Sequence, residues 1–248
     1  MKPYIICHML SSVDGKIDGD ALDAGTGEGD YDATGAKLEG DAWICGRTTM
    51  QHFAEDAPFV SASVAPAGPQ PVFVARRAES YAISVDTFGK LRWSSGDLDG
   101  DHLICVVSER VPADYLAMLR EKGVSYVVAG ESSIDLTQAV NQLGEHFGIR
   151  TLLLESGGHI NGAFLQADLV DEVSLLLVPG IDGRHDIPAV FDGVNPARNT
   201  AVPLKLKSVE QRANDTLWIR YAVSGFKWHR SSRSKQLLTS NSTTFGEV

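Results

Sequence analysis

Short stretches of this chain place charged side chains beside glycine where an apolar run ends, an arrangement suited to holding an anionic cofactor next to a proton-carrying group. In Leu154-Glu155-Ser156-Gly157-Gly158 an apolar run stops at a carboxylate and turns through paired glycines into the helical pattern His159-Ile160-Asn161-Gly162-Ala163. Glycines let backbone N–H groups approach an anion, and a helix start adds unsatisfied donors and the positive end of its dipole. Glu155 then faces whatever lies beside the cofactor. A tight strand-to-helix turn explains the same glycines, and the motif alone leaves both readings open.

Three further stretches have this character. Cys45-Gly46-Arg47-Thr48-Thr49 offers a guanidinium and hydroxyls for phosphate, although a surface arginine beside a helix cap has the same spelling. Val72-Phe73-Val74-Ala75-Arg76-Arg77 ends an apolar run with two cations that either share that phosphate or stay solvated. Ser11-Ser12-Val13-Asp14-Gly15-Lys16-Ile17 turns the chain where hydroxyls and the Asp14 carboxylate can meet a ligand, or where an ordinary Asp-Gly turn suffices.

The elements that must position these groups alternate. Apolar runs predict buried strands near Tyr4–Leu10, Ala42–Cys45, Val72–Ala75, Leu103–Val107, Tyr126–Val128, Thr151–Leu154 and Val173–Val178. Pro112–Lys122 reads as a helix with Tyr115, Leu116 and Leu119 on one face and Gly123 at its end, and Asp135–Phe147 as another, capped by Asp135. This alternation points to a mostly parallel sheet with helices on its faces. Leu204–Val209 and Thr216–Val223 read instead as an antiparallel hairpin on the sheet edge. Residues 54–71 form a long surface loop able to border a pocket. One domain spans about residues 1–223, and the basic, Ser/Thr-rich tail 224–248 lies outside it.

Composition narrows the function classes. With 248 residues, 43% hydrophobic, the chain can build a sizeable core, and a formal charge of −10 argues against a nucleic-acid partner. Cys7, Cys45 and Cys105 sit in apolar runs and read as buried thiols of a reducing compartment; no zinc-ligand spacing occurs, so no metal is expected. Neither a signal peptide nor a membrane-spanning run is visible, and a cytoplasmic enzyme is the expectation.

Taken in order, these residues resemble the C-terminal reductase domain of the bacterial bifunctional riboflavin-biosynthesis deaminase-reductase, a relative of dihydrofolate reductase. The resemblance runs to about Val223. It rests on Ser12–Ile17, on Gly40–Thr49, on Leu154–Ala163, and on Ala167–Val173 with Pro179 and Gly180 beyond.

It implies a dihydrofolate-reductase-like three-layer α/β sandwich, a homodimer, and NADPH as cofactor. Gly46, Arg47 and Thr49 correspond to the phosphate-holding element, with Arg76 beside them. Gly157, Gly158, Ile160 and Asn161 belong to the dinucleotide-contacting turn and helix start. Asp14 and Glu155 fall at catalytic, substrate-facing positions, and Tyr31 follows a loop, from Gly27, that places an aromatic residue near the cofactor.

The chain also departs from the family. It has no zinc-deaminase motif, so deamination is not expected. His8 stands where a substrate-contacting lysine is common, and no arginine follows Ala57-Pro58-Phe59 in Val60–Val64, where one usually meets the substrate phosphate. The implied activity is therefore NADPH-dependent reduction of a small pyrimidine- or pteridine-like heterocycle, as in 5-amino-6-(5-phosphoribosylamino)uracil reduction. A pterin or folate reductase and a non-catalytic NADPH-binding regulator are the alternatives.

Overall fold

The computed structural model describes residues 1–18, 22, 29–62, 65–193 and 201–224. At its centre three parallel strands lie side by side: β1 (Tyr4–Ser11), β2 (Ala42–Gly46) and β7 (Thr151–Leu154), with β7 between the other two. Beyond β2 come β3 (Tyr81–Val85) and β5 (Asp101–Val107), also parallel. The short antiparallel β4 (Asp97–Leu98) and the parallel β6 (Ser125–Val128) share the outer edge of β5. Beyond β1 lies β8 (Glu172–Leu177), and the hairpin of β9 (Leu204–Gln211) and β10 (Leu217–Val223) completes the sheet antiparallel to β8.

Side chains alternate across a strand, so each central strand feeds two cores. Ile5, Cys7, Ile44, Ile83, Ile104, Leu152 and Leu154 point to one face, where α4 (Leu136–Gln142) and α5 (Gly158–Gln166) cover them. Their neighbours Ile6, Cys45, Ala82, Leu103 and Leu153 point to the other, beneath α1 (Asp30–Ala36), α2 (Arg47–Met50) and α3 (Ala113–Glu121). This is the expected three-layer arrangement. Burial on both faces is why the central strands read as continuous apolar runs rather than alternating ones.

The helices keep their sequence signals. In α3 the buried residues are Tyr115, Leu116 and Leu119, and the chain leaves through Gly123 at φ +68°. Asp135 accepts a hydrogen bond from the Gln138 N–H at 2.9 Å to cap α4, which continues as a π-helical turn, Leu143–Phe147, before Gly148. The three cysteines are free and buried, and burial pushes each thiol up.

Two expectations are corrected. Val72–Ala75 is not a sheet strand; Phe73 makes an isolated bridge to Tyr126 and stacks on its ring at 5.4 Å. Pro69 and Pro71, which lack N–H donors, precede it, and the edge of β5 is already taken by β6. The strand in that part of the sheet is β3, whose Ala82 and Ser84 are too small and polar to form an apolar run, although all five of its residues are buried. The loop after α2 does not border the cavity described below: Phe59 packs edge-on against Tyr115, and Ser61 donates to Asp114 of α3 at 2.7 Å. The tail from residue 225 lies outside the described residues. No helix among those described is long and apolar enough to cross a membrane.

Candidate active site

Because β2 and β7 are parallel neighbours, the turns that follow them emerge side by side. They are joined by the Gly46 N–H donating to Ser156 Oγ at 2.9 Å and the Glu155 N–H donating to the Ile44 carbonyl at 3.1 Å. The Cys45 thiol also donates to the Glu155 carbonyl. A Cβ at position 46 would stand 2.3 Å from Ile160 Cδ1, so glycine lets the start of α5 lie directly on the end of β2. The structure thereby brings Gly46, Arg47, Thr49, Gly157 and Ile160 onto one ledge.

Their surroundings differ. Arg47 opens α2, is exposed, and has no ion-pair partner among the described residues. Gly157 is exposed ahead of α5, and a Cβ there would meet nothing within 4 Å. These two fit an anionic group against a helix N-terminus. Gly158 and Asn161 face inward: a Cβ on Gly158 would lie 2.2 Å from the Ala189 carbonyl oxygen, and buried Asn161 donates from Nδ2 to the carbonyls of Ser156 at 2.8 Å and Val190 at 3.0 Å. They clamp segment 187–193 against α5.

Beside the ledge a cavity of about 580 Å³ opens between α1, β2 and β7, within the range of small-molecule sites. Tyr31, Trp43 and Phe53 form aromatic walls; Asp32, Glu39 and Glu155 supply carboxylates; Thr49 joins it to the ledge. Alternation along β7 decides the aim of Glu155. Leu154 points to the α4–α5 face, so Leu153 and Glu155 point toward α1. Gly35 of α1 lies over both groups: a Cβ there would be in ordinary contact, 3.9 Å from Glu155 Oε1 and 3.6 Å from the His8 ring. Burial, with the Asp32 charge adding, raises the Glu155 carboxyl to about 7, and its oxygens have no hydrogen-bond partner among the described residues.

His8 closes the floor. It is fully buried, and burial lowers its ring to about 4, so it is neutral. Trp218 Nε1 donates to Ser174 Oγ at 2.8 Å, leaving the serine hydroxyl to donate to His8 Nδ1 at 3.0 Å and His8 Nε2–H to donate to the Tyr31 carbonyl at 3.3 Å. Tyr31 stacks on the imidazole at 4.5 Å and donates its hydroxyl to the His8 carbonyl at 2.9 Å. The network holds the aromatic wall of the cavity and leaves His8 no free nitrogen for a ligand. Gly27 and Glu28, before Tyr31, lie outside the described residues.

A family model for the RibD C-terminal domain matches residues 3–218. The chain belongs to that family. Among curated relatives, a 2,5-diamino-6-ribosylamino-4(3H)-pyrimidinone 5′-phosphate reductase of Methanothermobacter thermautotrophicus is 31% identical over 232 residues, covering 91% of this chain and all of that protein. A protein of the same description from Archaeoglobus fulgidus is 24% identical, covering 78% of this chain and 88% of the relative. Among solved structures, a pyrimidine reductase-like protein of Corynebacterium diphtheriae superposes with a TM-score of 0.65 at 18% identity, covering 90% of this chain and 93% of that one. RibD of Acinetobacter baumannii gives 0.61 at 19% identity, covering 90% of this chain and 58% of that longer one. These likenesses establish the dihydrofolate-reductase-like fold.

Two residues of the sequence reading stand apart from the ledge in this RibD C-terminal domain. Asp14 is exposed and accepts from Ser12 Oγ at 2.6 Å and from the N–H groups of Asp182 at 3.0 Å and Gly183 at 2.8 Å. Those bonds hold its carboxyl well below the usual range, so it stays a charged anchor of the loop after β8. Arg76 pairs with Asp97 at 3.0 Å; Asp97 registers with His102 at the amino end of β5, whereas the ledge lies at the carboxyl ends. The structure does not bring Arg76 to Arg47. Asp32, Glu39, Trp43 and Phe53 went unnoticed in the sequence, because no local motif marks them; only the crossing of α1 over β2 and β7 puts them in one cavity.

Proposed function

We propose that this chain is an NADPH-dependent reductase acting on a pyrimidine- or pteridine-like heterocycle in the Glu155 cavity, as one reductase unit spanning residues 1–223. The observation that carries the reading is the direct junction of ledge and cavity: Gly46 and Ser156 bond to each other, and Glu155, the residue before Ser156, projects into the cavity. Arg47 would hold a cofactor phosphate, with the ribose 2′-phosphate its natural partner, while exposed Gly157 gives the dinucleotide close approach to the backbone N–H groups that open α5, and Gly46 joins the two turns through its bond to Ser156. Thr49 reaches from the ledge toward the cavity. NADPH supplies hydride when bound. Reduction of a carbon–nitrogen double bond also needs a proton on nitrogen, and the Glu155 carboxyl, near 7, holds one over much of the neutral range. It gives that proton to the substrate and regains one from water. The tyrosine and tryptophan walls orient the ring and exclude solvent.

NADPH oxidation against aminopyrimidine ribosides, pterins and dihydrofolate tests the reading. Turnover of an aminopyrimidine riboside is expected, with kcat falling as pH rises through about 7, because Glu155 loses its proton there. A rate flat through that pH contradicts the assignment of Glu155, and binding of NADPH without turnover of any heterocycle favours a regulator.

The homodimer is part of the same proposal. β9 forms the sheet edge and is exposed along its whole length, with Leu206 and Val209 each 53% exposed. An edge strand with no further strand beside it among the described residues, and with Leu204, Leu206 and Val209 exposed between charged residues, offers an association surface. Light scattering is expected to give a dimer for the full chain and a monomer for Leu206→Lys; a monomeric wild type refutes it. A cytoplasmic location accords with the free thiols.

A further inference from the structure

We infer that Asp101, on a strand outside the cavity, is a positioning residue that holds the Trp43 indole turned away from Glu155 and so keeps the cavity open to its ligand, an inference that deepens the reductase reading and rests on it. Trp43 Nε1 donates to Asp101 Oδ2 at 2.6 Å, and Ser80 Oγ donates to the other carboxylate oxygen, so the carboxylate is itself held in place. In the sheet β3 separates β2 from β5, whereas β7, which leads into Glu155, lies on the opposite side of β2. The indole therefore reaches across β3, toward β5 and away from Glu155.

The residues in register explain that path. Trp43 pairs with Ala82 on one side and Leu153 on the other, and Ala82 pairs with Leu103, all on the face that carries α1. Neighbouring strands lie about 5 Å apart, so an indole that joins β2 to a side chain of β5 must pass over whatever β3 presents. Ala82, fully buried and no larger than a methyl group, leaves the way clear. On the other side Leu153 lines the cavity together with Trp43 and Glu155. Trp43 is only half-buried, and Phe53, the ring beside it at 5.8 Å, is 46% exposed, so packing alone leaves the indole a choice of rotamers. Without the Asp101 bond, a turn about the first side-chain torsion swings the ring over Leu153 and into the space the ligand uses. Such a chain binds only in the fraction of molecules whose indole points outward, which weakens apparent affinity by that fraction and leaves the bound complex unaltered.

The test uses the full chain, with NADPH and, as the probe, 2,5-diamino-6-ribosylamino-4(3H)-pyrimidinone 5′-phosphate, the compound named for the relatives. Asp101→Ala is expected to raise KM for the probe about three- to ten-fold, with kcat and NADPH affinity within about two-fold of wild type. Asp101→Asn keeps an acceptor for the indole N–H and should restore KM to within about two-fold. Trp43→Phe removes the donor, so Asp101→Ala made in that background should raise KM no further. Equal losses in kcat or NADPH binding, or an undiminished effect of Asp101→Ala in the Trp43→Phe background, overturn the inference and make Asp101 a structural tie between β2 and β5. The indole N–H resonance of Trp43, identified by its loss in Trp43→Phe, reads the tether without substrate: it should exchange with solvent at least about ten-fold more slowly in wild type than in Asp101→Ala. If Asp101→Ala does not fold, wild type is compared with free tryptophan, and exchange at the free rate overturns the inference. If NADPH does not bind or the probe is not reduced, the reductase reading falls, and equilibrium binding of the probe to wild type and Asp101→Ala decides the inference by itself.

Discussion

Replacing Glu155 by glutamine is expected to lower kcat by about 10²- to 10⁴-fold, the usual contribution of a general acid, while leaving NADPH affinity within about two-fold. The separation follows from geometry. Glu155 touches the cofactor ledge through its backbone, and only its carboxyl enters the cavity. The substitution should also raise stability above neutral pH. The folded-state carboxyl is raised from 4.5 to about 7, so between those values the folded chain holds a proton that the unfolded chain has released. Wild-type stability therefore falls as pH rises through that window, by up to about 3 kcal/mol if burial is fully maintained. Glutamine carries no such penalty. Urea unfolding at pH 5 and pH 8 should show the gain only at the higher pH, and His8, neutral down to about 4, adds its own acid sensitivity equally to both proteins. A turnover loss matched by equal loss of NADPH binding would make Glu155 a structural residue.

The second large effect is expected at Gly162. Alanine in a helix interior normally stabilises by about 1 kcal/mol over glycine. Here its Cβ would stand 1.9 Å from the Asp192 carbonyl oxygen, a backbone atom that cannot swing aside. Overpacking of this kind costs about 1–3 kcal/mol, so the overlap outweighs the helical gain and Gly162→Ala should destabilise. Gly158→Ala should behave alike, since its Cβ meets the Ala189 carbonyl at 2.2 Å. Gly157→Ala is the contrasting case: φ −63° suits alanine and nothing lies within 4 Å, so stability should hold while NADPH binding weakens. Chemical denaturation of the three variants checks the order. Stabilisation of the chain by Gly162→Ala would mean that segment 187–193 does not pack on α5 as described.

These glycines show how far the sequence could be read. The run from Leu154 to Gly158 and the run from Cys45 to Thr49 were legible as strand ends opening helices, because apolar residues stop abruptly at glycine in both. Their meeting was not legible: it depends on β2 and β7 being neighbours, with Ile44 in register with Leu154, which no local pattern encodes. Gly157 and Gly158 look equivalent in sequence, yet one faces open space and the other faces a carbonyl, a difference made by a segment thirty residues away. Asp14 reads as a ligand-facing carboxylate after β1; the sequence does not show that it also accepts from Ser12 and from two backbone N–H groups of the loop after β8, a link between segments 168 residues apart. β3 escaped detection because Ala82 and Ser84 interrupt its apolar character, and with it misplaced Arg76 was read onto the wrong end of the sheet.

A dinucleotide is expected to lie on the ledge formed by Gly46, Arg47 and Gly157. Equilibrium titration of NADPH and NADH into the wild-type chain, Arg47→Ala and Arg76→Ala measures it directly. Wild type should bind NADPH at least about ten-fold more tightly than NADH, Arg47→Ala should erase that preference by removing a charge-assisted contact, and Arg76→Ala should leave it intact. Absence of NADPH binding by the wild-type chain, or a loss at Arg76 equal to that at Arg47, would mean that no dinucleotide lies on this ledge.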